Sequence, residues 1–184
     1  MASLPQSHSI SYEEWLRLPE SQGVEEVVNG EIRITPAPSL NHADVVQNTY
    51  DQIRPQVDKA KVAVYTSKFD LVIRRQPLTT REPDIAVCHR ENMIEKDGRL
   101  HSPPELIVEV LSPANTRRES KDKLADYAGI AVPEVWIFSP EARTIEVLHL
   151  KEGQYQRAGI FADGVLTPLH FPNVQVRISE IWPD

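Results

Sequence analysis

Two acidic residues of this chain have types and positions that suggest metal chemistry. Glu109 lies inside the apolar run Leu-Ile-Val-Glu-Val-Leu, where burying an ionised carboxylate is costly unless a cation or hydrogen bonds compensate it. Asp84 directly follows Pro83 at the start of another predicted strand and could reach the same edge of a shared sheet. Two such carboxylates with a main-chain carbonyl between them form a hard oxygen site suited to Mg²⁺ or Mn²⁺. Such an ion can polarise a phosphate oxygen and lower the pKa of a bound water that attacks phosphorus.

Each acid also has an ordinary structural interpretation when it is taken alone. Glu109 could face solvent or pair with a local arginine, and Asp84 could simply be a polar residue beside a turn. The two acids could also hydrolyse sugars without a metal. Aromatic residues that would stack on sugar rings make up only 7% of the chain, so this alternative ranks low, and a test of metal dependence would decide it.

The elements that position these residues can be read from periodicity and capping patterns. Apolar runs predict strands over 62–65, 69–73, 84–88, 106–111 and 135–138, with a helix over 119–131 before the last of them. A strand, helix and strand in that order form a crossover unit, so part of the sheet should be parallel. Strands over 144–150 and 155–161 should form an antiparallel pair, and 178–182 a short turn or helix.

The N-terminal third has clear start and turn signals. Ser11 and Glu14 form a capping-box pattern ahead of a short helix. Asn29-Gly30 between two apolar runs predicts a tight hairpin over 24–35, and Ser39 can cap a longer helix that Pro55 bends or ends. The chain is therefore expected to be one α/β or α+β domain over residues 1–184, with a mixed sheet flanked by helices and an N-terminal hairpin.

Several segments, taken in order and spacing, resemble the Uma-two family of restriction-endonuclease-like proteins, within the PD-(D/E)XK nuclease superfamily. The resemblance runs from about residue 11 to beyond 161, and no single short motif carries it. The matching segments are Glu26 with Asn29-Gly30-Glu31, then Pro36, Pro38 and His42, Pro83-Asp84, residues 104–113 (Pro-Glu-Leu-Ile-Val-Glu-Val-Leu-Ser-Pro), Lys123-Leu124 with Tyr127, and Pro133-Glu134-Val135-Trp136.

The resemblance implies a restriction-endonuclease-like core with the active site at one edge of the sheet. Asp84 and Glu109 match the acids that would ligate a divalent metal, and the carbonyl of Val110 would be a third ligand. Glu26 matches an acidic position that would add a ligand or orient a metal-bound water. Leu111 takes the superfamily's usual lysine place, and the resemblance implies that Lys123 supplies the lysine from the next helix instead.

The lysine can come from a separate helix, because its role depends on where the ammonium lies near the attacking water and the phosphate. Helical spacing alone does not choose Lys123 over Lys121, since each lies beside the apolar face of that helix. The motif match selects Lys123, and either lysine could instead be a solvated surface lysine.

Further residues could contact the substrate. The family match places His42 near the start of the long helix, where it could contact phosphate or water, or serve as a capping or packing residue. Tyr127 could hydrogen-bond an active-site group or be a buried helix tyrosine. Arg117 and Arg118 could hold a phosphate backbone, or form part of a solvated loop.

Composition limits the other classes of function. The single cysteine, Cys88, excludes an internal disulfide framework and a multi-cysteine zinc or iron–sulfur site. The chain lacks an N-terminal signal pattern and a membrane-length apolar run, so it is expected to be cytoplasmic with no membrane partner, and no organic cofactor is indicated. The net charge of −7 argues against DNA binding through overall charge. Residues 59–90 nevertheless carry seven basic against three acidic residues, and 114–123 four against two.

These features predict a Mg²⁺- or Mn²⁺-dependent DNA endonuclease that acts by a metal-activated water. The resemblance also favours a homodimer, because nucleases of this fold often pair two sites with two strands. The alternative is a catalytically inactive nuclease-fold module that binds nucleic acid or a protein partner. Leu111 in the usual lysine place favours that alternative.

Overall fold

The computed structural model describes residues 9–19, 24–35, 37–66, 69–112 and 117–183. Its helices are α1 (Tyr12–Trp15), α2 (Leu40–Ile53) and α3 (Arg117–Gly129), with 3₁₀ turns at Arg54–Gln56, Arg90–Asn92 and Ile178–Glu180. Its strands are β1 (Val24–Val28), β2 (Glu31–Thr35), β3 (Val62–Thr66), β4 (Leu71–Arg75), β5 (Leu78–Arg81), β6 (Ile85–His89), β7 (Glu95–Lys96), β8 (Arg99–Leu100), β9 (Leu106–Val110), β10 (Glu134–Ser139), β11 (Thr144–Lys151), β12 (Gln154–Phe161), β13 (Val165–Leu166) and β14 (Val176–Arg177).

A mixed six-stranded sheet forms the centre of the fold, in the order β12-β11-β10-β9-β6-β3. Strands β9 and β10 are parallel, and the other neighbours are antiparallel. Helix α3 makes the crossover between the two parallel strands, as the sequence predicted. The mixed α+β class predicted from the sequence is confirmed.

The two faces of this sheet bury two separate apolar clusters. Along β9, Leu106, Val108 and Val110 pack into a cluster with residues of α2, whereas Ile107 packs into a cluster that includes Tyr127 of α3. Side chains alternate between the faces of a strand, so Glu109 shares the α3 side with Ile107. This alternation explains how a carboxylate within an apolar strand can meet groups of α3.

The N-terminal hairpin of β1 and β2 packs against a second, four-stranded sheet with the order β5-β4-β8-β7. Its turn is the one that Asn29-Gly30 predicted, since φ is +54° at Asn29 and +81° at Gly30. Threonines of β5 hold β1: the amide of Val27 donates to Thr80 Oγ1 at 3.0 Å, and that of Asn29 to Thr79 Oγ1 at 3.2 Å. Strand β1 is thereby fixed beside β5.

The helix caps agree with the sequence, but some element bounds do not. The Ser11–Glu14 capping box is present, and Ser39 accepts the amide of His42 at 3.3 Å. Helix α3 ends at Gly129 rather than at the predicted residue 131, because Ala131 adopts φ +62° and turns the chain ahead of Pro133. Strand β5 and the short strands β7, β8, β13 and β14 were not predicted. Among the described residues, no helix has the length and apolarity that a membrane span requires.

Candidate active site

The predicted acids and lysine come from β1, β9, α3 and the residue before β6, which meet at one edge of the central sheet. Lys123 Nζ of α3 lies 3.0 Å from Glu109 Oε2 of β9 and 3.2 Å from Glu26 Oε1 of β1. Asp84 joins them through the backbone, since the amide of Val110 donates to its Oδ2 at 2.7 Å. The structure thus brings all four predicted residues into one connected group.

Asp84 owes its position to the register of two neighbouring strands. Ile85, the first residue of β6, pairs with Val108 of β9, so Asp84 lies beside the end of β9 that carries Glu109 and Val110. The other oxygen of Asp84 lies 3.3 Å from His42 Nε2, in the first turn of α2. Burial would lower the pKa of His42, but the hydrogen bond and charge of Asp84 outweigh it and raise that pKa above its ordinary value.

Glu109 is largely buried, with a side chain 15% exposed, and each of its oxygens has a donor. Lys123 donates to Oε2, and the Tyr127 hydroxyl donates to Oε1. Burial raises the pKa of Glu109, and the Lys123 ammonium acts in the opposite direction. Tyr127 is itself fully buried, and burial together with the nearby carboxylate raises the pKa of its hydroxyl, so it stays a neutral donor.

The two candidate lysines of α3 have different environments. Lys121 is exposed, whereas the side chain of Lys123 is 19% exposed and lies between two carboxylates. Burial alone would lower the pKa of Lys123, but Glu109 and Glu26 outweigh it and raise the pKa above its ordinary value. Lys123 is therefore held as an ammonium in contact with the acids.

Glu26 is held by two further partners that the sequence did not suggest. Its Oε2 accepts from Arg81 Nη1 at 2.7 Å, and its Oε1 accepts the Glu82 amide at 3.3 Å as well as Lys123. Burial raises the pKa of Glu26, but Lys123 and Arg81 outweigh it and lower the pKa below its ordinary value. Arg81 in turn donates to Asp126 of α3.

A detectable signal for Arg81 was available in the sequence. Arg81 follows Leu78-Thr79-Thr80 and precedes Pro83-Asp84 by two residues, so it is a charged residue in a short β-prone segment beside a proposed metal ligand. The reasoning applied to Glu109 applies equally to a cation in a strand, which needs a partner if it is buried. Asp126 gave no such signal, since it is one of several charged residues of its helix.

Arg117 and Arg118 were predicted to lie in a loop before the helix, but the structure places them in the first turn of α3. Their side chains lie outside the described residues, so their proposed phosphate contacts are not tested. Leu111, at the superfamily's usual lysine place, lines a cleft of about 490 Å³. His42 and Ser39 line the same cleft, which therefore opens beside Asp84.

The oxygen donors at this edge fit a magnesium-type site. Within the described part of the chain, no group of three or more His, Cys, Asp or Glu side chains is arranged to hold a metal ion. Mg²⁺ commonly uses one or two carboxylates, and waters or substrate phosphate complete its shell. Asp84 and Glu109 supply two carboxylates, and the Val110 amide that follows Glu109 donates to Asp84, so the donor types suit that mode of binding.

Comparison with known proteins places the chain in a family. The model of the Uma2 family, described as "Putative restriction endonuclease", matches residues 12–179. The chain belongs to the Uma2 family. This Uma2 chain is also similar to a crystal structure described as a putative nuclease of DUF820 from Anabaena variabilis, with a TM-score of 0.76 and 19% identity over 94% of this chain and 97% of that chain. That likeness shows a shared fold. No curated protein matches the chain.

Proposed function

We propose that this Uma2 protein is a Mg²⁺- or Mn²⁺-dependent endonuclease that hydrolyses DNA phosphodiester bonds with a metal-activated water. The observation that carries the proposal is the contact between Lys123 Nζ and Glu109 Oε2 at 3.0 Å, beside Asp84 at one sheet edge. Paired acids that hold a cation and an adjacent ammonium can together promote phosphodiester hydrolysis. Family membership supports the assignment to nucleases.

Asp84, Glu109 and the carbonyl of Val110 would hold the cation. Glu26 would add a ligand or orient the attacking water. When bound, a divalent cation polarises a phosphate oxygen and lowers the pKa of coordinated water. Tyr127 fixes the orientation of Glu109 through the hydrogen bond to Oε1.

Lys123 would stabilise the negative charge that develops on the phosphate. Its ammonium is already in contact with two acids, and a raised pKa keeps it charged at neutral pH. A long side chain can perform this role from α3, because the role depends on where the charge lies and not on sequence neighbourhood. Leu111 in the usual lysine place is therefore compatible with activity.

Contacts to DNA outside the scissile phosphate complete the proposal. His42 at the cleft beside Asp84 could contact phosphate or water, and Arg117 with Arg118 at the start of α3 would meet the DNA backbone. A homodimer would place two sites against two strands. The acidic net charge of −7 predicts weak DNA binding that salt strongly reduces.

The proposal is tested by a cleavage assay on plasmid, linear and single-stranded DNA with Mn²⁺ or Mg²⁺. Glu109→Ala and Lys123→Ala should each abolish cleavage. Lys121→Ala is the matched control, because Lys121 is exposed on the same helix, and it should cleave like the wild type. Cleavage that survives both active-site substitutions would come from a contaminant. A well-folded wild type that binds DNA but never cuts it would support the inactive nuclease-fold module instead.

A further inference from the structure

An arginine outside the proposed metal and phosphate groups is buried at the centre of the site. The Arg81 side chain is 3% exposed and contacts two acids on different elements. Its Nη1 donates to Glu26 of β1 at 2.7 Å, while its Nη2 and Nε donate to one oxygen of Asp126 on α3 at 2.6 and 2.9 Å. Burying a guanidinium so completely is costly unless each donor is used, and here the contacts join β1, β5 and α3.

These contacts continue a line of alternating charges into the proposed active site. The order is Asp126, Arg81, Glu26, Lys123 and Glu109, with each residue in contact with the next. Asp126 lies one helical turn after Lys123, and residues three apart share a helix face. Arg81 therefore holds the stretch of α3 that supplies the lysine and also holds the carboxylate that contacts the lysine.

We propose that Arg81 is the positioning residue for Lys123: it fixes Glu26 from one side and Asp126 from the other, and so sets where the ammonium lies relative to Glu109. The inference rests on the proposed nuclease function for its catalytic consequence. Lys123 comes from a separate helix, so the backbone next to Glu109 does not set the position of the ammonium. Contacts such as those of Arg81 are needed to set it. A misplacement of about 1 Å can lower a rate roughly a hundredfold.

The guanidinium is suited to this role by its shape. Its fork presents donors in fixed directions, so one side chain can meet Glu26 and Asp126 at the same time. A lysine at position 81 would carry the same charge on a single nitrogen. We therefore expect Arg81→Lys to keep the positive charge at position 81 but to leave the Lys123 ammonium without a fixed position.

Arg74 provides a matched control. It also pairs with Asp126, at 3.3 Å, but its other hydrogen bond goes to Asn29 of the hairpin turn, and its side chain is 40% exposed. Arg74→Met removes an arginine from the same acid without touching Glu26 or Lys123. It should leave the position of the ammonium and the cleavage rate unchanged.

The test compares the wild type with Arg81→Met, Arg81→Lys and Arg74→Met by two measurements. The first is the ¹⁵N signal of the Lys123 ammonium in the full-length protein without metal, assigned with Lys123→Met. In both Arg81 variants the signal should move and broaden, because the ammonium loses its fixed place, and in Arg74→Met it should match the wild type. The second is cleavage of plasmid DNA with Mn²⁺, where Arg81→Met should lower kcat roughly tenfold to a hundredfold and leave KM unchanged.

The two measurements separate this inference from the proposed function. An unchanged ammonium signal in folded Arg81→Met overturns the positioning role, even if the wild type cuts DNA. A changed signal in a protein that never cuts DNA supports the positioning role and removes the nuclease proposal. If Arg81→Met does not fold, Asp126→Asn decides by the same signal, because it keeps the side-chain shape while removing the charge that anchors Arg81.

Discussion

Lys123→Met is the substitution whose effect can be worked out most directly from the structure. The change keeps most of the side-chain volume but removes the ammonium that contacts Glu109 at 3.0 Å and Glu26 at 3.2 Å. Glu26 retains Arg81, at 2.7 Å, whereas Glu109 retains only the Tyr127 hydroxyl among the side chains that the structure describes. Leaving one partner of a buried ion pair uncompensated costs about 3–5 kcal/mol. Because Glu26 stays paired, we expect Lys123→Met to lower the free energy of unfolding by about 3 kcal/mol, near the lower end of that range.

The assay is urea unfolding at neutral pH in the presence of a chelator. Lys121→Met is the control, and as an exposed substitution it should change the free energy of unfolding by no more than about 0.5 kcal/mol. Adding Glu109→Gln to Lys123→Met should recover much of the loss, because the unpaired charge is then gone. A loss in Lys123→Met no larger than in Lys121→Met would refute the conclusion that the ammonium stabilises buried acids.

The pH dependence of the same variant gives an independent check. Burial already raises the pKa of Glu109 above its ordinary value of 4.5, and removing the Lys123 ammonium should raise it further. An acid whose pKa is raised in the folded state destabilises that state when it is ionised. This destabilisation disappears as the pH falls through the raised pKa and the acid becomes protonated. The stability gap between Lys123→Met and the wild type should therefore narrow as pH is lowered from neutral.

Three further predictions concern the metal, a histidine and the cysteine. Mn²⁺ or Mg²⁺ should raise the melting temperature of the wild type, since a ligand that binds the folded state stabilises it, and Asp84→Ala should abolish the rise. Burial, with Arg75 adding to the effect, lowers the pKa of His101 below 6.5, so its neutral form favours folding. This contribution to the free energy of unfolding should be lost as the pH falls below 6.5. His101→Gln should make the free energy of unfolding depend less on pH in that range. Burial raises the pKa of Cys88 to about 12, so a thiol reagent at neutral pH should modify it only as fast as the protein unfolds, and modification of the folded protein would contradict this.

The sequence predicted most of the elements because their signals were local. The Asn29-Gly30 turn, the Ser39 cap and the apolar run around Glu109 each act within a few residues, and each appears where expected. Strand β5 was missed because Leu-Thr-Thr-Arg is short and lacks a flanking apolar run. Its threonines serve to hold β1, and that partner is fifty or more positions away in the chain.

The same distinction applies to the site. Glu109 was identifiable because a carboxylate in an apolar strand is locally anomalous. Lys123 could not be separated from Lys121 by spacing, because the difference between them arises from which way α3 lies on the sheet. Asp126 was not identified at all, since its role depends on Arg81, forty-five residues earlier in the chain.

The positions of the acids in the fold show which of them contribute to the electrostatic field that DNA meets. Glu26, Glu109 and Asp126 have side chains no more than 15% exposed, and each is paired with Lys123 or Arg81. Opposite charges that pair with each other largely cancel in the field that an approaching polyanion meets, because that field is the sum over all charges. The three acids and the two bases together carry a net charge of −1, so most of the net charge of −7 lies outside this group. Glu13→Gln removes an exposed acid and should tighten DNA binding, and binding that stays unchanged would contradict the assignment of the repulsion to exposed acids.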